Sequence, residues 1–286
     1  MKISIIIPVH NEAIHLNVVL DSFINQEKTP DKLIIVDDNS TDSSYTIAQN
    51  YAEKHHWIET ISLNTSKEHL PGSKVIHAFN KGLEHISLTD YDLIGKFDAD
   101  ICLSPNYFKK LSKAFQDNPK LGLASGQLYV QKGNNWVFEA ISEPSKVRGP
   151  VKLYNTNCFQ DIGGLKPHIG WDTADQLIAQ FKGWETRTFP DLKVKHLKPT
   201  GKTYKGHYRS SQGEAFYRLR YGWLLTIIAS TKLALRKGHF RFLKDYFKGY
   251  RQAQKAKVSF LLSKDEGLFL RKLRWNGIKK KVFLSR

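Results

Sequence analysis

Asp98 and Asp100 stand at i and i+2 directly after an apolar run at residues 91–97. Carboxylates so placed at a strand end project the same way, and hard oxygen ligands of this kind suit Mg²⁺ or Mn²⁺ shared with a diphosphate. The plainer alternative is a pair of solvated loop acids, or a cap for the helix that Pro105 opens. Asp37, Asp38, Asn39, Ser40, Thr41 and Asp42 close a second apolar run at residues 33–36. A carboxylate there can accept from a ribose hydroxyl or a base N–H; equally, Asn39 and Ser40 can form an Asx turn that caps the next helix. His10, Asn11 and Glu12 follow a third run, at residues 3–9.

Apolar runs at 3–9, 33–36, 58–63 and 91–97 alternate with helical patterns at 12–25, at 45–51 behind Ser40 and Thr41, at 74–86, and from Pro105 to about 117. That alternation predicts an α/β fold with a mostly parallel sheet covered by helices on both faces. In open sheets of this kind the ligand lies beyond the carboxyl ends of the strands. Five carboxylates, on Glu12, Asp37, Asp38, Asp98 and Asp100, therefore converge on one sheet edge. Beyond Leu123 the pattern is less regular. A loop with Gly163, Gly164 and Gly170 leads to a short helix holding Asp172 and Asp175, followed by strand-like residues 186–190 and 194–197. Three further helices are expected at 213–235, 239–257 and 264–275.

The 286 residues are 41% hydrophobic and 25% charged, a globular composition, and the length suits one large domain with an appendage. Cys102 and Cys158 lie far apart with no CxxC, which argues against a disulfide framework or a thiolate zinc site and fits a reducing, cytosolic setting. Pro8 and the polar residues after it make the first apolar run a strand rather than a signal peptide. The net charge of +17 is unevenly spread: residues 1–192 hold 19 Lys+Arg against 23 Asp+Glu, whereas residues 193–286 hold 25 against 4, net +21. A polyanionic partner for that last third follows, whether a membrane surface, a nucleic acid or an acidic substrate. Its least polar stretch, residues 221–231, is far short of the roughly 20 residues a spanning helix needs.

IIIPVHNE, IIVDDNSTD, GSKVIHAFNKGLE, FDAD and GWDTAD followed by KGWETRTFP and VKHL, in this order over residues 1–200, resemble the inverting family 2 glycosyltransferases of the GT-A fold. The resemblance implies a GT-A catalytic domain over residues 1–211, and the charge split with the helical pattern makes 212–286 a basic helical extension. It implies a nucleotide site built from Pro8, His10, Glu12, Asp38, Lys74 and Asp98, with His10 replacing a more usual Tyr. It implies Mn²⁺ or Mg²⁺ held by Asp100 and Asp98, with His196 as a third contact. An inverting reaction needs a general base opposite the diphosphate. The family takes it from the second member of a Glu-Asp pair at a helix start, here broken to Ala174-Asp175, so Asp175 is the expected base and Asp172 the reserve. Trp171 beside them either stacks on an acceptor sugar or fills the core. Arg209, Arg218 and Arg220 are candidate contacts to diphosphate or an anionic acceptor, or plain solvated residues. The processive QxxRW motif is not matched, since Gln212 is followed by Gly213, Glu214, Ala215 and Phe216.

The resemblance thus implies a metal-dependent glycosyltransferase using a nucleotide-diphosphate sugar, with a UDP-sugar favoured. Its acceptor would be a glycan or lipid-linked hydroxyl, in cell-surface glycan or polysaccharide synthesis. Two other classes compete. A sugar-phosphate nucleotidyltransferase would want a Gly-rich basic loop after the first strand, which Pro8-Val9-His10-Asn11-Glu12 is not. A nucleic-acid binder would use the basic third, but no RNA or DNA motif is found there. The cluster Trp223, Leu224, Leu225, Ile227 and Ile228 better suits an interfacial helix on the cytoplasmic face of an anionic membrane.

Overall fold

The computed structural model describes residues 1–64, 73–141, 143–198, 208–237 and 240–284. The first half runs β1 (Ile3–Val9), α1 (Ala13–Ile24), β2 (Lys32–Asp38), α2 (Ser44–Lys54), β3 (Ile58–Leu63), α3 (Lys74–Leu83) and β4 (Leu93–Phe97). It continues through β5 (Ile101–Cys102), α4 (Tyr107–Asp117), β6 (Leu121–Lys132), β7 (Asn135–Phe138), β8 (Val151–Asn155), α5 (Thr156–Asp161), α6 (Trp171–Phe181) and β9 (Glu185–His196). Four helices follow: α7 (Tyr208–Arg218), α8 (Gly222–Lys237), α9 (Arg241–Lys255) and α10 (Lys264–Leu284). Among the described residues the nine strands form one sheet in the order β3-β2-β1-β4-β8-β6-β9-β5, with β7 paired to β6. The first four of these are parallel, as the alternation requires, and β8 runs antiparallel between β4 and β6.

Every residue of β1 is buried, because helices cover both faces of the sheet, and its alternate side chains divide between two cores. Ile3, Ile5, Ile7 and Val9 pack with Leu16, Val19, Leu20 and Phe23 of α1 and the Tyr107, Phe108, Leu111 and Phe115 stripe of α4. Ile6 points the other way, with Ile34, Ile94, Phe79 of α3 and Leu177 and Ile178 of α6. Gly82 lets α3 lie directly on this face, since a Cβ there would sit 2.7 Å from the Ile6 methyl and 2.8 Å from that of Val36.

The second core does not stop at the sheet's own helices. Phe216, Leu219, Tyr221, Leu225, Tyr250, Leu261, Leu262 and Leu270 all belong to it, so α7–α10 are joined to α6 by shared apolar burial. Where α7 crosses α9 the backbones touch: a Cβ on Gly213 would collide with the Tyr246 carbonyl, and one on Gly249 with the Ser210 carbonyl.

Three local expectations change. The helix expected over 213–235 is two, α7 and α8, parted where Arg220 (φ 55) and Gly222 (φ 73) adopt left-handed backbone. Arg220 is fixed there by its Nε bond to the Leu262 carbonyl at 2.7 Å and by stacking on Phe260 at 3.6 Å. The two strand-like pieces at 186–197 form one strand, β9, whose register against β6 breaks between Gly126 and Gln127. The irregular stretch after Leu123 contains the β6–β7 hairpin, turned at Gly133 with φ 58.

Candidate active site

Two turns at the carboxyl edge of the sheet are cross-bonded. Asn11 (φ 55) and Asn39 (φ 58) both take left-handed backbone, a conformation Asn tolerates better than most residues. Asn11 Oδ1 accepts the Thr41 N–H at 2.8 Å, and the Asn11 N–H donates to Ser40 Oγ at 3.0 Å. Ser40 and Thr41 are therefore spent on the neighbouring turn rather than capping α2, which begins at Ser44, and the Ser44 hydroxyl accepts the Glu12 N–H at 2.8 Å. His10 is exposed, with Nδ1 donating to the Asp38 carbonyl oxygen at 2.7 Å. Pro8 is buried in β1 opposite Val36, beneath this turn, and Asp38 is buried at the end of β2. Lys74 is the first residue of α3, on the second-core side of the same edge; Gly72 lies outside the described residues.

Beside these turns the acids crowd. The short β5 pairs with the end of β9 so that Ile101 stands opposite His196, which brings His196 Nε2 to 3.6 Å from Asp100 Oδ2. His196 Nδ1 donates to Glu139 Oε2 at 3.0 Å, and that same oxygen takes Arg148 at 2.9 Å. Glu12 Oε1 pairs with Lys198 at 2.6 Å. Burial raises the Glu12 pKa; Lys198 opposes this, and the charges of Asp100 and Asp98 raise it further. Asp98 is bonded to the ammonium of Lys96. Asp100 Oδ1 and Glu12 Oε2 are both buried with no hydrogen-bond partner. A carboxylate oxygen left so is costly unless something else fills its lone pairs, and a hard divalent cation is what such oxygens suit. Among the described residues no group of three or more His, Cys, Asp or Glu side chains is placed to hold a metal ion.

His196 is 4% exposed. Burial works against its charge, but the hydrogen bonds and negative charges of Asp100 and Glu139 outweigh it and raise its pKa from 6.5 to about 9. Because the folded value is the higher one, the stabilisation is complete below about pH 6.5 and is lost as pH rises toward 9, a change of about 3 kcal/mol. Urea unfolding of chelator-treated protein at pH 6 and pH 9.5 should register that loss, and His196→Gln should abolish it. An equal slope in the variant would mean that other groups carry the pH dependence.

The helix-start acids separate sharply. Asp175 is 3% exposed. Both its oxygens take Lys152 Nζ, at 2.7 and 2.6 Å, and Oδ2 also takes the Tyr154 hydroxyl at 2.5 Å. Both oxygens of the expected base are thus turned to Lys152 and Tyr154. Asp172 sits in the first turn of α6 with its side chain 37% exposed, and takes Lys146 Nζ at 3.1 Å. Burial opposes its charge, but Lys146 and Lys152 prevail, with Arg148 helping, and hold its pKa down to about 2. Trp171 is 7% exposed and packs in the second core, with the ammoniums of Lys96 and Lys152 at 5.3 and 5.2 Å from its ring centre. It fills the core and is not free to stack on a sugar. Arg218 bonds Glu214 and the Ser259 carbonyl, and Arg220 is spent on Leu262 and Phe260. The side chain of Arg209 lies outside the described residues.

Sequence reasoning missed Lys96, Lys152, Glu139, Lys146 and Lys198. The signal for the first two was present, a lone lysine inside each of the apolar strands LIGKF and VKLYN. A lysine survives there only with a buried anion beside it.

Residues 4–170 match the sequence profile described as Glycosyl transferase family 2. The minor teichoic acid biosynthesis protein GgaA of Bacillus subtilis is 26% identical over 224 residues, covering 76% of this chain and 47% of that protein. A dolichol-phosphate mannosyltransferase of Pyrococcus furiosus is 27% identical over 164 residues, 56% of this chain and 44% of that one. The chain thus spans about half the length of the curated relatives it matches. Two solved structures share the fold. The mannosyltransferase PcManGT of Pyrobaculum calidifontis, in complex with GDP-Man and Mn²⁺, superposes with a TM-score of 0.59 at 16% identity, over 97% of this chain and 80% of that one. S. aureus TarS 1–349 in complex with UDP-GlcNAc gives 0.57 at 19% identity, over 79% and 66%. With its profile match running through both cross-bonded turns, the Asp98–Asp100 pair and the loop to α6, the chain belongs to glycosyl transferase family 2.

Proposed function

We propose that this protein moves a sugar from a nucleotide-diphosphate sugar to an acceptor hydroxyl with inversion, in the synthesis of a cell-surface glycan or polysaccharide. The observation that carries the reading is the pair of buried, unpartnered carboxylate oxygens on Asp100 and Glu12 beside the cross-bonded nucleotide turns. Asp100, with Asp98 beside it, would hold Mn²⁺ or Mg²⁺, which when bound would neutralise the diphosphate leaving group, and His196 would join them through Nε2 only after giving up its proton. The chain's own groups do the rest. His10 presents an exposed ring edge for the base, above Pro8. Asp38 and Asp98 face the nucleoside, Glu12 walls the acid cluster, and Lys74 offers an ammonium to the phosphates. Asp172, not Asp175, is the carboxylate accessible to take the acceptor proton. The solved relatives are described with UDP-GlcNAc in one case and GDP-Man in the other; a UDP-sugar is our favoured donor and a lipid-linked or glycan hydroxyl our favoured acceptor. Incubation with a panel of UDP- and GDP-sugars plus Mn²⁺ tests this through donor hydrolysis and protection against thermal unfolding. If no nucleotide sugar is bound or consumed, the reading fails.

We further propose that the basic C-terminal third holds the enzyme on the anionic cytoplasmic face of a membrane. Among the described residues no helix is long and apolar enough to cross one. On α8, Leu224, Ile227 and Leu235 form an exposed stripe at helical spacing, with Trp223 beside it and Phe240 just beyond. Tyr246 and Tyr250, by contrast, are buried against neighbouring helices and cannot insert. Each engaged Lys or Arg adds about 1 kcal/mol at an anionic surface. The full chain should co-sediment with phosphatidylserine vesicles, less so as salt rises, and Leu224→Ser with Ile227→Ser should weaken it. Equal binding to neutral vesicles would remove the electrostatic component.

A further inference from the structure

Lys152 has no role in the transfer just proposed, yet it is the most heavily bonded ammonium at the site. It lies in β8 directly across from Lys96 of β4, and neither side chain is open to water. Its Nζ donates to both oxygens of Asp175, at 2.7 and 2.6 Å, and to the backbone carbonyl of Asp172 at 2.8 Å. Tyr154, two residues along β8, adds its hydroxyl to Asp175 Oδ2. Burial lowers the pKa of Lys152; the charges of Asp175 and Asp172 oppose this, and Lys146 adds to the lowering. Holding an ammonium there is worthwhile only if its geometry matters, because an apolar pair of similar volume is often as stable.

The geometry does matter to the reaction side of α6. Gly170, at φ 92, starts the helix with no side chain to cap it, so its first turn lacks the usual Ser, Thr, Asp or Asn anchor. The Lys152 bond to the Asp172 carbonyl pins that turn to the sheet. Lys96 makes the matching attachment on the donor side, to the Asp98 carboxylate and to the Gly149 carbonyl at 3.3 Å. Trp171 stands near both ammoniums, 5.3 Å from one and 5.2 Å from the other.

We propose that Lys152 is a positioning residue: with Asp175 and Tyr154 it forms a buried clamp on the first turn of α6 that sets the Asp172 carboxylate at a fixed place relative to Asp98. The proposal rests on Asp172 being the base. Asp175 thereby acquires a role one step behind the chemistry, as the counter-ion that keeps Lys152 charged.

The test uses the full chain carrying Lys152→Met and Asp175→Asn together, which removes both charges, keeps volume, and leaves Tyr154 an acceptor. Two readouts are taken. Amide hydrogen exchange in residues 172–176 should speed up at least about tenfold, while the β1–α1 turn is unchanged. With a consumed nucleotide sugar, kcat should fall about 10²-fold with donor KM nearly constant, the signature of a displaced catalytic group. Wild-type exchange together with wild-type kcat would overturn the clamp, and so would a loss of kcat with wild-type exchange at α6. Faster exchange in the variant, when the wild-type protein itself consumes no nucleotide sugar, would retain the clamp and sink the enzymatic reading instead. Should the double variant not fold, Tyr154→Phe removes one bond to Asp175 and leaves the ion pair. It must show the same two changes at smaller size, and wild-type behaviour there overturns the proposal.

Discussion

Asp100→Ala should abolish turnover, by about 10³-fold or more, while the protein in chelator still folds, losing no more stability than the part of the His196 stabilisation that Asp100 supplies. The two halves of that result have separate causes. Asp100 Oδ1 makes no hydrogen bond in its buried position, so deleting it forfeits little of the fold, and it relieves the negative charge that raises the Glu12 pKa. Only His196, at 3.6 Å, loses a partner, and it keeps Glu139. On the proposed reading, by contrast, Asp100 would hold the cation that neutralises a diphosphate leaving group. Excess chelator should reproduce the loss in wild-type protein, and Mn²⁺ should restore wild type but not the variant. Full turnover in Asp100→Ala, or in chelated wild type, would falsify the metal assignment.

Asp172→Asn is expected to lower kcat by about 10² or more with little change in donor affinity, since the amide keeps the shape and cannot take a proton. A folded pKa near 2 means that the group is ionised throughout the working range, so any acid limb in kcat above about pH 4 belongs to another residue. The companion variant Asp175→Asn should behave differently. It leaves Lys152 buried without its anion, so it should cost stability, about 3–5 kcal/mol for a broken buried pair, together with the turnover that the clamp on α6 supports. Chemical denaturation and steady-state kinetics on both variants separate the two roles. If Asp175→Asn unfolds like wild type and has lost turnover, Asp175 is the base after all.

The sequence already contained enough to tell these two acids apart. Trp171, Ala174 and Ile178 make the buried stripe of α6, and Asp175 falls on it, one position after Ala174 and three before Ile178. Asp172 falls off it. What hid this was the counter-ion, which comes from a strand 23 residues earlier and has no helical spacing to betray it. The parallel strands and the acids that end them were legible because an apolar run closed by a carboxylate is a local pattern. Ser40 and Thr41 were misassigned because capping is local too, and the real partner of each is Asn11, across the sheet edge. The same holds for Arg220, whose backbone breaks a helix that periodicity alone would continue: its anchors, Leu262 and Phe260, come about 40 residues later.

The second core has a consequence for synthesis in the cell. It joins Ile6 to Leu270, and at the ribosome's about 5–20 residues per second those positions emerge roughly 13–50 s apart. Through that interval α6, which belongs to the same core as Ile6, Ile34 and Ile94 of the sheet, lacks the cover that α7–α10 supply. A nascent chain halted near residue 211 would expose the α6 surface meant for Phe216, Leu219 and Leu261, a surface that invites chaperones or self-association. Shortening the gene to its catalytic motifs should therefore yield inclusion bodies, even though every acid of the donor site would still be encoded.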